Sequence, residues 1–259
     1  MTSLIRSISF VSVLIICTGL QFVIPSRPFE SDRYKYMISN LVLVGFNNII
    51  LAFIPLIPFT AGIYSLENGI GLFQIIGLPF VLQMILSLLI LDVVIYFQHR
   101  LFHKLDFLWK LHAMHHIDPM LDTTSGLRFH PLEIIISNFI KVATILIFGI
   151  SPLAVITFEI ALNLLAMFNH SNIEINKKLE HKINKILITP ALHTIHHSKI
   201  RSETNSNYGF SVPWWDKIFG TFTAQGKYPQ EKIHIGTLPM PDKTYQLFPG
   251  MLIYPFKKF

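Results

Sequence analysis

Residues 92–116 have the sequence DVVIYFQHRLFHKLDFLWKLHAMHH, and this stretch determines how the rest of the chain can fold. It closes a long apolar segment and then supplies five histidines: His99, His103, His112, His115 and His116. Residues three and four apart on a helix lie on one face, so each cluster is expected to present its imidazoles in one direction. A third cluster with the same spacing follows far downstream: His193, His196 and His197.

The eight clustered histidines exceed what a single metal ion can bind. Neutral imidazole is a good ligand for iron, zinc, copper and nickel. Eight ligands are too many for one tetrahedral zinc ion or one octahedral ion, so the pattern favours two metals that share them. A single histidine at a membrane edge is usually an amphipathic anchor, whereas three one-faced clusters favour a metal site.

Four further motifs accompany the histidines: RFHPLE at 128–133, FNHSN at 168–172, TPALHTIHHS at 189–198 and NYGFSVPWWDKIFGT at 207–221. Together with the order H-x-x-x-H, H-x-x-H-H, H-x-x-H-H after hydrophobic spans, they resemble the fatty acid hydroxylase / sterol desaturase superfamily. The resemblance covers about residues 85–222, which would form the catalytic core. It implies a membrane-bound, histidine-rich di-iron oxygenase that acts on a lipid, and it does not name the lipid.

The composition indicates a membrane protein. Of 259 residues, 51% are hydrophobic and only 14% are charged, and the mean hydropathy is +0.50. These values are too apolar for an ordinary soluble domain. The net charge of +6 comes from basic residues beside apolar spans, which predicts attraction to a membrane surface and no nucleic-acid partner. The single cysteine, Cys17, lies in an apolar run, so it offers neither a disulfide nor a thiolate metal site.

The hydrophobic pattern predicts an all-α fold: one membrane-embedded domain over residues 1–259, built as a multi-span helical bundle with a cytoplasmic histidine-rich helical cap. Spans are expected near residues 4–24, 37–58, 77–97, 133–149 and 152–168, and residues 60–77 are expected to form a loop. The last two spans are short and separated by two residues, so they are predicted to form a tight helical hairpin.

The positions of lysine and arginine along the chain predict how the protein is oriented in the membrane. The loop after the first span carries Arg27, Arg33 and Lys35, and the histidine clusters also lie in Lys/Arg-rich segments. The positive-inside rule puts both on the cytoplasmic side and puts residues 60–77, which have no lysine or arginine, outside. We therefore expect an integral membrane protein of the bacterial inner membrane with its active site on the cytoplasmic side.

Two residues near the first clusters are further candidates for the site. Asp92 shares a helix face with His99 and His103, and a carboxylate inside a span is costly enough to suggest a function. It is expected to accept a hydrogen bond from a ligand imidazole, and a membrane-edge aspartate that faces water is the alternative. The isolated His130 leaves three interpretations open: a ligand, a support for a ligand, or a loop histidine.

The fifth span carries a polar stripe. Glu159, Asn163 and His170 lie at i, i+4 and i+11, within about 40° of one another on a helix. They are expected to face the metals together, with His170 as a ninth ligand or, alternatively, as a helix cap. Glu159 and Asn163 are expected to support or pack. By the family resemblance, residues 207–221 pack over the metal site, and Asp216 is expected to hold a histidine ligand.

The leading hypothesis is an oxygen-dependent lipid hydroxylase or desaturase that uses two iron ions and molecular oxygen, although zinc can replace iron during purification. Cleavage of an unactivated C–H bond requires a metal-based oxidant, and family frequency favours hydroxylation. A zinc-dependent membrane hydrolase would need an open site and a carboxylate base, and the chain has no H-E-x-x-H motif. A histidine-rich membrane metal transporter would place its ligands near mid-span.

The chain is also expected to need a partner that supplies electrons. It has no cysteine motif for an iron–sulfur cluster and no Rossmann glycine pattern. Reducing dioxygen to water takes more electrons than one C–H oxidation releases. An external carrier is therefore predicted, such as a ferredoxin, a rubredoxin or a b-type cytochrome.

Overall fold

The computed structural model describes residues 2–29 and 31–257, and within them all regular secondary structure is helical. The predicted all-α fold is confirmed. The helices are α1 (Thr2–Val23), α2 (Arg33–Ala52), α3 (Pro58–Asn68), α4 (Leu72–Ile76), α5 (Phe80–Lys104), α6 (Asp106–His116), α7 (Pro131–Phe148), α8 (Pro152–His170), α9 (Lys177–Ile183), α10 (Pro190–His196), α11 (Arg201–Thr204), α12 (Trp214–Ile218), α13 (Lys243–Gln246) and α14 (Gly250–Ile253). Short 3₁₀ turns cover Ser125–Leu127, Gln230–Lys232 and Tyr254–Phe256.

Five of the described helices, namely α1, α2, α5, α7 and α8, are long and apolar enough to cross a membrane. Their surfaces carry many exposed large apolar side chains, among them Ile15 on α1 (65% exposed) and Val81 on α5 (67% exposed). Apolar exposure on this scale is unfavourable in water and normal against lipid. The chain is therefore an integral membrane protein.

The predicted limits of two spans differ from the helices. The second span was expected over residues 37–58, but α2 ends at Ala52 and α3 starts at Pro58. Pro55 and Pro58 explain the break, because proline lacks the N–H of a helical hydrogen bond and disfavours the helical conformation of the residue before it. The third span was expected over residues 77–97, whereas α5 continues to Lys104 and carries His99 and His103 on the same helix.

The segment between α2 and α5 is helical, so the expected loop over residues 60–77 is wrong. It contains α3 and α4, which pack against the turn between α7 and α8. A Cβ on Gly71 would lie 2.2 Å from the backbone nitrogen of Gly149, so only glycine allows this approach. The α7–α8 turn itself forms the predicted helical hairpin, with Gly149 in the left-handed conformation (φ 74°) and Ser151 capping α8.

The apolar core lies between α5, α7 and α8. Its fully buried side chains include Leu91 of α5, Ile145 of α7 and Phe158 of α8. These three helices set the positions of the histidines, because α5 and α8 both end with histidines at one end of the bundle, where α6 and α10 also lie.

Candidate metal centre

Nine buried or nearly buried histidines converge at this end of the bundle in two groups. Within each group the nearest ring nitrogens all lie within 4.8 Å of one another. The five-histidine group consists of His99, His103, His112, His116 and His196. The four-histidine group consists of His115, His170, His193 and His197. These nine residues are the ligands expected from the sequence, and the structure brings all of them together.

Each H-x-x-H-H motif is divided between the two groups. His112 and His116 belong to the five-histidine group, while His115 belongs to the four-histidine group. The same holds downstream, where His193 and His197 separate from His196. Adjacent residues point about 100° apart on a helix, whereas residues four apart are nearly aligned. The expectation that each cluster faces in one direction holds for His99 and His103, which belong to the same group, and is wrong for the two H-x-x-H-H motifs, each of which contributes to both groups.

The ring orientations leave unpaired nitrogens facing each other. His99 Nδ1 lies 2.8 Å from the carbonyl oxygen of Tyr208, and His112 Nδ1 lies 2.7 Å from Glu133 Oε1. Because these oxygens only accept, both Nδ1 atoms donate and both Nε2 atoms carry lone pairs. The two Nε2 atoms nevertheless lie 3.0 Å apart. Two acceptors at this distance repel each other unless a cation lies between them.

The four-histidine group repeats this arrangement. His115 Nδ1 donates to the carbonyl oxygen of Arg128 (3.2 Å), and His170 Nδ1 donates to that of Ala166 (2.7 Å). Their Nε2 atoms lie 3.0 Å apart, as do those of His170 and His193. Neighbouring nitrogens of an octahedral ion with bonds of about 2.1 Å lie about 3.0 Å apart. Both groups therefore have the spacing of a metal-ligand shell.

Burial keeps the imidazoles of His116, His196 and His197 neutral. His116 and His196 are fully buried, and among the described residues neither ring nitrogen of His116 nor the Nε2 of His196 has a hydrogen-bond partner. Burial, helped by neighbouring histidines, lowers the pKa of His196 to about 3 and the pKa of His116 and His197 well below the ordinary range. Neutral imidazole is the form that binds metals, so the donor set fits two metal ions.

Glu133 fixes the orientation of His112 and is a residue that the sequence analysis did not assign. It lies in the first turn of α7, is 5% exposed and accepts from His112 Nδ1. A carboxylate on the far nitrogen of a ligand imidazole fixes its tautomer and raises its basicity. The signal was present in the sequence, since Glu133 is an acidic residue at the start of an apolar helix.

We expect Glu133→Gln to weaken metal binding in the five-histidine group by about 10–100-fold, the range seen when such supports are removed. The glutamine keeps the size of the side chain but loses the charge that favours the Nδ1–H tautomer. Competition with a chelator, followed by metal analysis, would measure the effect. Glu174→Gln, an exposed change outside both groups, is the control, and equal metal retention by the two variants would contradict this role.

Asp216 acts on the site through a loop rather than by holding a histidine directly. Its carboxylate accepts from the backbone N–H groups of Tyr208 and Gly209, each at 2.8 Å. That loop starts at Asn207, whose φ is 51°, and it presents the carbonyl oxygen of Tyr208 to His99. The expected direct bond from Asp216 to a ligand is wrong, and its role is to hold the oxygen that orients His99.

The expected hydrogen bond from a ligand imidazole to Asp92 is also wrong. Asp92 is 7% exposed and accepts from the indole nitrogen of Trp215 at 2.7 Å. The alternative of a water-facing carboxylate is excluded by the same burial. Asp92 ties α5 to α12, which belongs to the segment that covers the histidines.

His130 lies outside both histidine groups. Its Nδ1 accepts from the backbone N–H of Leu132, so it caps α7, and its Nε2 lies 3.2 Å from the carbonyl oxygen of Leu252. The three interpretations left open by the sequence thus resolve to a structural histidine at a helix start.

Two other side chains that the sequence analysis did not assign support the histidines. Arg128 is fully buried, donates from Nε to the carbonyl oxygen of Met114 and offers its own carbonyl oxygen to His115. Asn169 Oδ1 lies 2.6 Å from His170 Nδ1. Both lie in quoted motifs, RFHPLE and FNHSN, but sequence spacing alone does not reveal their contacts.

A cavity of about 680 Å³ lies beside the five-histidine group. His99, His112 and Glu133 line the end of the cavity next to the histidines, which we call its metal end. Phe129 and Phe210 add apolar surface to the same cavity. Glu159 and Asn163, which were expected to face the metals, line this cavity instead. Glu159 pairs with Arg6 and Lys141, so of the predicted polar stripe only His170 reaches the histidines.

Comparisons with known proteins agree with this geometry. The profile of the fatty acid hydroxylase family matches residues 84–221, just over half of the chain. The ornithine lipid hydroxylase OlsE of Rhizobium tropici is 32% identical over 56% of this chain and 43% of its own length. Human alkylglycerol monooxygenase is 26% identical over 92% of this chain and 50% of its own length. The Delta(7)-sterol-C5(6)-desaturase of Nicotiana tabacum is 32% identical over 61% and 58%.

The chain spans about half the length of the curated relatives it matches. No solved structure matches it.

Proposed function

This chain belongs to the fatty acid hydroxylase family, and we propose that it is an oxygen-dependent, two-iron enzyme that oxidises an unactivated C–H bond of a membrane lipid. The observation that carries the proposal is the pair of buried histidine groups beside the cavity. The nine histidines would hold the two irons, zinc being able to take their place because imidazole binds both. Bound iron, with dioxygen as co-substrate, supplies an oxidant that side chains cannot provide.

The protein's own residues bind and orient. Glu133 holds the proton on His112 Nδ1, and the loop fixed by Asp216 holds the proton on His99 Nδ1. Phe129 and Phe210 line the cavity next to the histidines, so that a lipid chain entering it meets apolar surface and displaces water. No side chain is assigned as a general acid or base.

The positions of the nine histidines argue against the two alternative functions, a metal transporter and a zinc-dependent hydrolase. They lie at the ends of α5 and α8 or on α6 and α10, whereas a transporter would place its ligands near mid-span. A zinc hydrolase needs a free carboxylate base beside an open site, and Glu133 is already engaged by His112. Both observations favour the oxygenase.

The reaction is proposed as hydroxylation, with desaturation as the variant that the same oxidant allows. The matched relatives carry both kinds of name, with ornithine lipid, alkylglycerol and sterol as their printed substrates. The test compares membranes of cells that make the wild-type chain with those that make His116→Ala. A lipid that gains one oxygen or loses two hydrogens only with the wild-type chain supports the proposal. Identical lipid profiles would contradict it.

An external electron carrier is proposed as the partner, of the ferredoxin, rubredoxin or b-type cytochrome kind. A set of basic residues borders the histidine end of the bundle and is the candidate docking surface: Lys104, Lys110, Lys182, Lys185, Lys199 and Arg201. All but the half-buried Lys199 are exposed. An acidic carrier would dock there with an affinity that falls with salt. Contact with anionic lipid headgroups is the other role these residues can have.

The active site is proposed to face the cytoplasm, in a bacterial inner membrane. The loop after α1 lies at the histidine end, since Arg27 N donates to Asn172 Oδ1 and Pro25 bridges Ile173. The basic residues of this loop and the histidines would therefore lie on the same side of the membrane, which the positive-inside rule identifies as the cytoplasmic side. Arg33 is engaged there too, donating to the carbonyl oxygens of Met120 and Leu121.

Five crossings with this orientation put the N-terminus outside and the C-terminus in the cytoplasm. A C-terminal alkaline phosphatase fusion, which is active only outside, is therefore expected to be inactive, and a C-terminal green fluorescent protein fusion is expected to fluoresce. The matched control moves the same reporters to Gly77, between α4 and α5, where a Cβ would meet nothing within 4 Å and the outcome should reverse. Phosphatase activity at the C-terminus would overturn the topology.

A further inference from the structure

Three charged side chains line the cavity at the end away from the histidines. Arg6 Nη2 lies 3.0 Å from Glu159 Oε2, and Lys141 Nζ lies 3.3 Å from Glu159 Oε1. We call Arg6, Lys141 and Glu159 the charged trio. Its members come from α1, α7 and α8, and none of them takes part in either histidine group.

Lys141 and Glu159 lie well inside the membrane-spanning helices, with side chains 17% and 11% exposed, whereas Arg6 lies near the start of α1 with a side chain that is 40% exposed. Lys141 is eight residues beyond Glu133 on α7, about 12 Å along the axis, and Glu159 is eleven residues before His170 on α8, about 16 Å. The irregular segment between α2 and α3 reaches the same cavity, which Ile57 and Pro58 line. Charged side chains and non-helical backbone at such depth are costly, and they persist where they line a polar cavity or a binding site.

The charges of the trio do not balance. One carboxylate faces two cations, and each of its oxygens is already taken by one of them. A guanidinium has five N–H donors and an ammonium has three, so both cations retain donors for another acceptor. Among the described residues Glu159 is the sole ion-pair partner of both Arg6 and Lys141. The excess is one positive charge, which favours an anion.

The lining of the cavity is mostly apolar and also includes polar side chains. Amide and hydroxyl side chains contribute to it: Asn47, Asn48, Gln98, Ser137, Asn138 and Asn163. Asn47 is 5% exposed, and its Oδ1 has no hydrogen-bond partner among the described residues. Asn47, Asn138 and Asn163 each donate from Nδ2 to a backbone carbonyl oxygen, whereas Gln98 Oε1, like Asn47 Oδ1, has no hydrogen-bond partner among the described residues. Such unpaired polar atoms cost free energy when a plain alkyl tail fills the space. The wall suits a ligand that carries polar groups along with its chain.

We propose that the charged trio is a binding site for an anionic group of the lipid substrate, a carboxylate or a phosphate, held by Lys141 and Arg6 while the carbon to be oxidised lies at the metal end. The inference rests on the proposed function, since it identifies which lipids the cavity selects. The substrate class is then an anionic or zwitterionic amphiphile whose charged group lies about 12–16 Å from the reacting carbon, rather than a neutral lipid. A trio that only clamps α1 onto α8 would show no preference among headgroups.

The test measures binding to the purified, metal-loaded full chain in lipid nanodiscs, with empty nanodiscs subtracted. The probes are tetradecanoate, tetradecyl phosphate, tetradecanol and tetradecyltrimethylammonium, which share one chain length. We expect the wild type to bind at least one of the two anions about tenfold or more tightly than the alcohol, and the trimethylammonium most weakly. The stronger of the two anions identifies carboxylate or phosphate as the preferred group.

Two variants of the trio should move the affinity for that preferred anion in opposite directions. Lys141→Gln should weaken its binding about tenfold and leave tetradecanol unchanged, while Glu159→Gln should tighten it because two cations then lack a counter-charge. Lys178→Gln, on the exposed helix α9, is the matched control and should change nothing. Thermal unfolding checks that each variant is folded. A higher affinity of Glu159→Gln for the anion cannot result from misfolding.

Failure of this inference can be told from failure of the proposed function. His116→Ala removes a metal ligand that does not line the cavity, so it should abolish oxidation and keep the anion preference. Equal binding of all four probes by the wild type, or the same affinities in Lys141→Gln and Lys178→Gln, would overturn the anion site and leave the oxygenase standing. Anion-selective binding by a protein that oxidises no lipid would overturn the oxygenase instead.

Discussion

His112→Ala is expected to abolish lipid oxidation, lowering it by at least about a hundredfold, since even loss of a supporting residue at a metal site costs 10–100-fold. His112 faces His99 with Nε2 atoms 3.0 Å apart and is held by Glu133. Alanine removes one nitrogen donor from the five-histidine group and leaves Glu133 buried beside a void. A metal ion bound in this group would therefore lose one ligand. Product formation and metal content per chain, measured on the same sample, check both effects.

Two histidines outside the groups provide controls for this result. His181 and His234 are exposed and belong to neither group, so His181→Ala and His234→Ala should keep full metal content and full activity. Circular dichroism of His112→Ala separates loss of a ligand from loss of the fold. Full activity in a folded His112→Ala would show that the assignment of the metal ligands is wrong.

Sustained turnover is expected only when electrons are supplied from outside the chain. Reduction of dioxygen to water takes four electrons, and oxidation of one C–H bond releases two, so two more must come from a donor. The sequence has a single cysteine, which cannot ligate an iron–sulfur cluster. Purified, reduced protein with lipid and oxygen should therefore turn over at most once, and a reductant with a suitable carrier should restore continuous catalysis.

Salt and charge variants test where such a carrier binds. If it docks on the basic residues near the histidines, Lys104→Glu and Lys110→Glu should raise the carrier concentration needed for half-maximal rate, and high salt should do the same to the wild type. Lys243→Glu, an exposed change on α13 at a residue that does not belong to that set, is the control. Multiple turnovers with no electron source would contradict the need for a carrier.

The histidines that converge could be predicted from the sequence because the spacing within their clusters is a local property. Residues four apart on a helix are nearly aligned whatever the tertiary fold, so residue spacing alone is enough to recognise the clusters. Spacing also turns the adjacent His115 and His116 about 100° apart, but the separation of His112 from His115, three residues apart, depends on where α8 and α10 lie around α6. Local spacing identifies the clustered histidines, while tertiary packing decides which of the two groups each histidine joins.

The supporting residues were harder to predict because their partners are distant in sequence. Asp92 was paired with the nearest histidines, but its partner Trp215 lies 123 residues away. Asp216 was linked to a histidine through the family resemblance, and the structure inserts the Tyr208 loop between them. The early end of α2 could be predicted from the sequence, because Pro55 and Pro58 both disfavour a helix there. A span predicted from hydropathy alone ignores these prolines and is therefore too long.

The fate of labelled dioxygen tests the oxygenase most directly. Purified, iron-loaded protein with its electron carrier and lipid is supplied with ¹⁸O₂ in ordinary water, and in a parallel reaction with ordinary oxygen in H₂¹⁸O. The proposal predicts that a hydroxylated lipid carries label only from ¹⁸O₂, that a desaturated lipid carries none in either reaction, and that neither product forms without oxygen. Label in the lipid from water, or product formed under anoxia, would contradict it.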